Sequence, residues 1–254
     1  MLEGQTVWIT GPVRPDSDRL GLRLAVAGAS LFYSPVIRIL PPASWNELDR
    51  VLCTKDKHRG WVFLSQHGVQ AVLNRANSLG QEVGADFEDS LEFFAIGQGT
   101  QAEWQRLAGK GCLIPEESNS LGIAGLLSKH RDCAPFLVFR GNRGSRVLPD
   151  QLTSMGIPFE QVIAYRSVDI ESADSELVQQ MQNGQIDWVT VTSSAIARAL
   201  VHLYGDALNR TRLASISPTT SSVLNELGYS PAVEAKSYGF DGLVEAMVER
   251  SRES

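Results

Sequence analysis

The sequence predicts an α/β fold in two similar lobes, each a mainly parallel sheet flanked by helices. Three observations lead there. Short apolar, β-branched or aromatic runs alternate with segments of helical period almost from end to end. The two halves repeat the same succession of parts. Two extended segments, 31–40 and 159–168, are each about twice the usual strand length of about five or six residues.

The elements follow in order. A first strand at 7–10 ends in Thr10. Leu20, Leu24, Ala27 and Leu31 then recur at helical spacing, with Gly28 as a stop. After the long segment 31–40, a strand at 61–64 closes on Ser65. The stripe Val69, Val72, Leu73, Ala76 follows and ends at Gly80. A strand at 93–96 leads through Gly97 and Thr100 into a helix, a short strand at 112–114 and a second helix. Strands at 136–139 and 159–168 complete the first half. The strand at 188–191 is followed by Ser193 or Ser194 as N-cap, then Ile196, Ala199, Leu200 and Leu203, with Gly205 as stop. A strand at 213–216 precedes Thr220 and the stripe Val223, Leu224, Leu227, which stops at Gly228. A strand at 232–235 and the stripe Leu243, Val244, Met247, Val248 close the chain.

Phe94-Ala95-Ile96-Gly97-Gln98-Gly99-Thr100 and Ala214-Ser215-Ile216-Ser217-Pro218-Thr219-Thr220 introduce the same succession. Trp61 to Ser65 likewise resembles Trp188 to Ser193. If the long segments each leave one sheet and enter another, the first domain is discontinuous. It then comprises residues 1–37 with 168–254, and residues 38–167 form the inserted second domain. Linker strands at about 31–40 and 159–168 would join the lobes, with a cleft between them.

Composition bounds the function. The 254 residues are 43% hydrophobic and 20% charged, ordinary for a globular chain. The 29 acidic against 23 basic residues give a net charge of −6, which disfavours a nucleic-acid partner. No apolar run approaches the roughly 18 residues of a membrane span. Glu3 stands where a signal peptide carries its positive region, so a cytoplasmic protein is expected. Cys53, Cys112 and Cys133 stand far apart, and His58, His67, His130 and His202 show no ligand spacing to a carboxylate or cysteine. No metal is expected, and the four histidines read as solvated surface residues. Phosphate-loop, zinc-protease, nucleophile-elbow and dinucleotide motifs are absent.

A hydroxyl residue recurs where a strand hands over to a helix: Thr10, Ser65, Thr100, Ser193 and Thr220. N-capping accounts for any one of them. Five on the carboxyl edges of two sheets also fit a ligand site, because ligands bind at that edge in open α/β folds and exposed amides there attract anions. Arg14 after the first strand, Arg140, Arg143 and Arg146 after the strand at 136–139, and Arg166 fit a carboxylate or phosphate clamp as well as a solvated loop.

In this order the pieces resemble the uroporphyrinogen-III synthase family. The resemblance rests on Thr10 with Arg14-Pro15, Tyr33-Ser34-Pro35-Val36-Ile37-Arg38-Ile39, Phe63-Leu64-Ser65-Gln66-His67-Gly68-Val69 and Ala95-Ile96-Gly97 with Thr100. It continues through Arg140-Gly141, Val162-Ile163-Ala164-Tyr165-Arg166, Val191-Thr192-Ser193-Ser194, Ile216 to Thr220, and Tyr238 with Gly242-Leu243. Departures occur at Ser217, where the family has glycine, at the stretched Thr10-Gly11-Pro12-Val13-Arg14-Pro15, and at Leu64-Ser65 in place of Thr-Ser.

The resemblance implies a cofactor-free lyase acting on hydroxymethylbilane. Water is lost, the terminal ring D is inverted through a spiro intermediate, and the macrocycle closes. It implies Tyr165 as the acid, since a phenol keeps its proton at neutral pH and can donate it. Thr10, Arg14, Ser65, Gly97, Thr100, Arg140, Ser193, Ser194 and Thr220 are the substrate-binding candidates, on a monomeric chain. The alternative is a two-lobed module that binds or senses an anionic small molecule without turning it over.

Overall fold

The computed structural model describes residues 1–12, 18–54, 57–81 and 91–253. The chain folds as two compact units, Met1–Arg38 with Val168–Ser254, and Ile39–Ser167. Among the described residues each unit holds a five-stranded sheet.

In the first unit β1 (Thr6–Ile9), β2 (Ser30–Tyr33), β8 (Trp188–Val191), β9 (Arg212–Ser215) and β10 (Val233–Glu234) lie in the order β10-β9-β8-β1-β2. The ladders in this sheet are parallel. Strands of a parallel sheet are covered on both faces and therefore read as continuous apolar runs. Trp8 packs on one face with α7 (Ser175–Gln182), α8 (Ser194–Tyr204) and α9 (Pro218–Glu226). Its neighbours Val7 and Ile9 pack on the other with α1 (Arg19–Val26) and α10 (Phe240–Arg252).

The second unit has the order β3-β7-β6-β4-β5, from β3 (Ile37–Leu40), β4 (Gly60–Phe63), β5 (Glu92–Ala95), β6 (Phe136–Gly141) and β7 (Phe159–Asp169). Its β4–β5, β4–β6 and β6–β7 ladders are parallel. Trp61, Phe63, Leu137 and Phe139 pack under α2 (Asn46–Cys53), α3 (Gln66–Ser78) and α4 (Gln98–Ala108). Val62, Phe136 and Val138 pack under α5 (Ser120–Lys129) and α6 (Val147–Ser154). The fold is thus the expected α/β class, with parallel sheets flanked by helices.

Three local expectations are corrected. The segment 31–40 is two strands in two sheets, interrupted at Ser34-Pro35-Val36; Pro35 has no N–H to give to a ladder. The short strand expected at 112–114 is a single bridge, Leu113 to Phe94, and Leu113 is exposed there. The likeness of Trp61 to Trp188 does not survive in register. Trp61 lies with the helix that follows its strand, whereas Trp188 lies on the opposite face from α8. Trp61 to Ser65 is four residues and Trp188 to Ser193 is five, and one extra residue in a period of two reverses the face.

Candidate functional site

The helix starts on the carboxyl edges are built alike. Ser65 caps α3, accepting from the Gly68 amide at 3.1 Å, and Ser193 caps α8, accepting from Ile196 at 3.2 Å. Their backbones nearly coincide, at φ −168°, ψ 159° and φ −168°, ψ 161°. Ser217 caps α9 in the same conformation. Its φ of −166° is extended backbone open to any residue, so serine in place of glycine costs no strain and supplies a cap. The N-cap of α4 is Gly97, with no side chain over the amides. A Cβ there would stand 2.4 Å from the Ser118 hydroxyl oxygen.

The other hydroxyls expected at helix starts sit elsewhere. Thr100 and Thr220 are buried in the first turn of α4 and α9, each the third helical residue and not the cap. Thr10 is fully buried, and its hydroxyl donates to the Thr190 carbonyl, tying β1 to β8. The N-cap of α1 is Asp18, which accepts from Gly21 at 2.8 Å. A strand-end hydroxyl alone could not separate these cases, since the decision depends on where the next helix turn begins. Ser194 is the first residue of α8. Arg14 lies outside the described residues.

In the second unit Ser65 and Tyr165 meet. Ser65 Oγ donates to the Tyr165 hydroxyl at 3.0 Å across 100 positions of sequence, and the His67 ring lies 5.5 Å from the Tyr165 ring. Tyr165 reaches this position through a bulge. Arg140 is opposite Ile163, and Gly141 is opposite Tyr165, so Ala164 is the extra residue of β7. Regular alternation would put Tyr165 on the face of exposed Ile163. Instead Ala164 and Tyr165 both turn to the face that carries α3.

The strand between them, β6, makes the contact geometrically available. Sheet order places β6 between β4, which ends just before Ser65, and β7. At its end stands Gly141, where a Cβ would lie 2.7 Å from Tyr165 Cζ and 2.9 Å from its hydroxyl. The next residue fixes the bulge: the Asn142 amide donates to the Tyr165 carbonyl at 3.2 Å, and its side-chain oxygen accepts from the Ser167 amide at 2.8 Å.

Arg140 at the end of β6 and Arg166 on β7 behave less like a clamp. Arg140 donates to the Gly141 carbonyl, to Gln161 at 2.8 Å and to the Gly144 carbonyl, which folds the loop back on its own guanidinium. Arg166 donates to the Pro41 carbonyl at 3.0 Å. Beside it a cavity of about 400 Å³ is lined by Pro42, Ser44, Glu47, Asn142 and Ile163.

Two histidine expectations are corrected. His58 is buried against Glu160 at 3.2 Å, and burial lowers its pKa. His130, Asp132 and Cys133 lie on one turn with ligand atoms within 4.8 Å of one another. They are the group among the described residues that could hold a metal ion, with Asp132 exposed and Cys133 buried. Burial, with Asp132 and Glu92 nearby, raises the Cys133 thiol, and a ligating cysteine must be deprotonated.

Fold and site together define a two-unit α/β protein whose polar groups gather at serine- and glycine-started helices on the carboxyl edges of parallel strands. The family model described as uroporphyrinogen-III synthase HemD matches residues 18–245. The chain belongs to the uroporphyrinogen-III synthase family. It is 25% identical over its whole length to uroporphyrinogen-III synthase of Synechococcus elongatus, covering 98% of that protein. Over 95% of its length it is 23% identical to the Escherichia coli enzyme, covering 99% of it. Two solved structures share the fold. A mutant uroporphyrinogen III synthase of Thermus thermophilus matches with a TM-score of 0.65 at 14% identity, covering 99% of this chain and 100% of that one. The Helicobacter pylori protein matches with a TM-score of 0.62 at 17% identity, covering 96% and 98%. Among the described residues no helix is long and apolar enough to cross a membrane.

Proposed function

We propose that this chain is a cyclising lyase that converts hydroxymethylbilane to uroporphyrinogen III, with Tyr165 as the acid. The observation that carries the assignment of Tyr165 is its place: a bulge turns it onto the carboxyl edge, and Ser65 holds its hydroxyl at 3.0 Å. In this reading the Tyr165 proton passes to the hydroxymethyl oxygen of the substrate. The C–O bond breaks with its electron pair and water leaves, while the pyrrole nitrogen lone pair forms the new C=N bond of an azafulvenium. The substituted α-carbon of ring D attacks the azafulvenium methylene and gives the spiro intermediate. The older bond from that carbon to the methylene of ring C then breaks, its electron pair returning to ring D and leaving an azafulvenium on ring C. That methylene bonds to the free α-carbon of ring D, so the ring is inverted. Closure then releases one proton from carbon, which restores the phenol.

Little further reactive machinery is required, because the pyrrole supplies the electrons. The protein's task is to select one attack geometry, which orientation alone can favour strongly. We assign the substrate's carboxylates to the helix starts at Gly97 with Thr100, at Ser193 with Ser194, and at Ser217 with Thr220. Positive amide ends there suit anions. Thr10 and Arg140, whose donors are engaged within the protein, shape the edges in this reading. The chain acts as a monomer on a small molecule in the cytoplasm, and its acidic balance of 29 to 23 supports a partner other than nucleic acid.

The test is to supply hydroxymethylbilane to the purified protein, oxidise, and separate the isomers by chromatography. Isomer III in excess of the spontaneous isomer I is the expected result. Isomer I alone at the uncatalysed rate would overturn the proposal and favour anion binding without turnover.

A further inference from the structure

The contact between Ser65 and Tyr165 on the carboxyl edge of the second unit has a direction. Ser65 Oγ has one proton and accepts the Gly68 amide at the positive end of α3. A hydroxyl that accepts from a helix amide is polarised and becomes a better donor, and Ser65 donates to the Tyr165 oxygen. With that lone pair taken, the Tyr165 proton is left to point elsewhere. Negative charge that develops on the phenol oxygen as its proton leaves would face a donated O–H backed by a helix start.

Three features serve this contact. The Ala164 bulge turns the ring towards α3, Gly141 leaves the space above β6 open, and Asn142 ties down the backbone on both sides of Arg166.

We propose that Ser65 is a positioning residue that acts through Tyr165: the line from the α3 amides through Ser65 Oγ to the Tyr165 hydroxyl aims the phenol's proton and steadies the phenolate that its transfer leaves. This rests on the reading of Tyr165 as the acid, and it reassigns Ser65 from contacting the substrate to orienting the group that does. No atom is exchanged with Ser65. Its proton stays on Oγ throughout, and the proton that Tyr165 gives up returns from the ring-closing carbon.

The experiment is a double-mutant cycle on kcat and KM with hydroxymethylbilane, using Ser65→Ala, Tyr165→Phe, the double variant and Ser65→Thr. Calorimetric unfolding on each shows that it is folded at the assay temperature. Ser65→Ala is expected to lower kcat by about tenfold or more, the scale of one hydrogen bond to a charged group, with KM little changed. In the Tyr165→Phe background the same change should have almost no effect on kcat, because the group it acts through is gone. Ser65→Thr, which keeps both cap and hydroxyl, should restore most of the rate.

Equal loss from Ser65→Ala with and without the phenol would overturn the proposal while leaving Tyr165 as the acid. So would a rise in KM alone, which would return Ser65 to substrate contact. If Tyr165→Phe itself keeps the full rate, the parent reading fails first and this one with it. A cap-only role predicts a lower unfolding temperature with unchanged kcat, which would also refute it.

Discussion

Replacing Gly141 by alanine tests the architecture that sets Tyr165 in place. The added Cβ would lie 2.7 Å from Tyr165 Cζ and 2.9 Å from both Cε2 and the hydroxyl oxygen. Carbon atoms in ordinary contact stand about 3.5–4.0 Å apart, so the ring must retreat by about 0.8 Å. The backbone cannot absorb this cheaply, since the Asn142 hydrogen bonds hold Tyr165 and Ser167 on either side of Arg166. No backbone strain is introduced, because Gly141 is not among the glycines with positive φ.

The cost should therefore fall mainly on the phenol. An overpacking penalty of about 1–3 kcal/mol is expected in stability. A reacting group misplaced by about 1 Å can lose about 100-fold in rate, so kcat should fall by about 10- to 100-fold. The assay is the isomer-resolved turnover of hydroxymethylbilane, with calorimetric unfolding on the same preparation. In the Tyr165→Phe background Gly141→Ala should lower kcat no further. A Gly141→Ala protein with wild-type kcat would refute the argument that this glycine exists to seat Tyr165.

Tyr165→Phe should lower kcat by about 10²- to 10⁴-fold, the usual contribution of a positioned acid, while product binding by calorimetry stays within about twofold; unchanged turnover would reduce Tyr165 to packing. His58, with its pKa lowered by burial, should make stability pH-dependent in one direction. The unfolded chain takes up a proton near the ordinary histidine value of about 6.5 and the folded chain resists it. This contribution is therefore complete above that pH and is lost as pH falls towards the folded value. The urea midpoint should drop between pH 7.5 and pH 5.5, and less steeply in His58→Gln; equal slopes would clear His58. Gly122→Ala and Gly242→Ala should each destabilise their unit, because a Cβ would meet the backbone oxygen of Glu117 or Ser237 at 2.1 Å; unchanged unfolding temperatures would show that these turns open freely.

Much of the fold was legible because its causes are local. The stripe Val69, Val72, Leu73, Ala76 lies on one side of α3 and is buried as a unit. Its start is marked by Ser65, and Gly80 beyond its end takes φ +73°, a conformation that glycine adopts without penalty. The same reasoning holds for Ser193 and the stripe of α8, whose buried residues include Ile196, Ala199 and Leu200. Long apolar runs such as 136–139 announced strands covered on both sides, and they are divided between two core layers.

The candidate site was legible in its residue types and less so in its assignments. Ser65 and Tyr165 were both singled out, yet nothing near either one says that they touch. Thr10 looked like a helix-start hydroxyl and instead ties β1 to β8 through Thr190, 180 positions away. Arg140 looked like an open cation and is closed on its own loop.

Where helices and strands begin, which of their sides are apolar, and the family to which their order belongs are readable from the residues alone, because periodicity, capping and chain stiffness act over a few residues. The direction in which Tyr165 faces is set by strand pairing. That direction depends on the register of β7 against β6, where one extra residue, Ala164, reverses the alternation, and on the missing side chain at Gly141 that lets the phenol reach Ser65. A register is a property of two strands together, so no single stretch of sequence contains it.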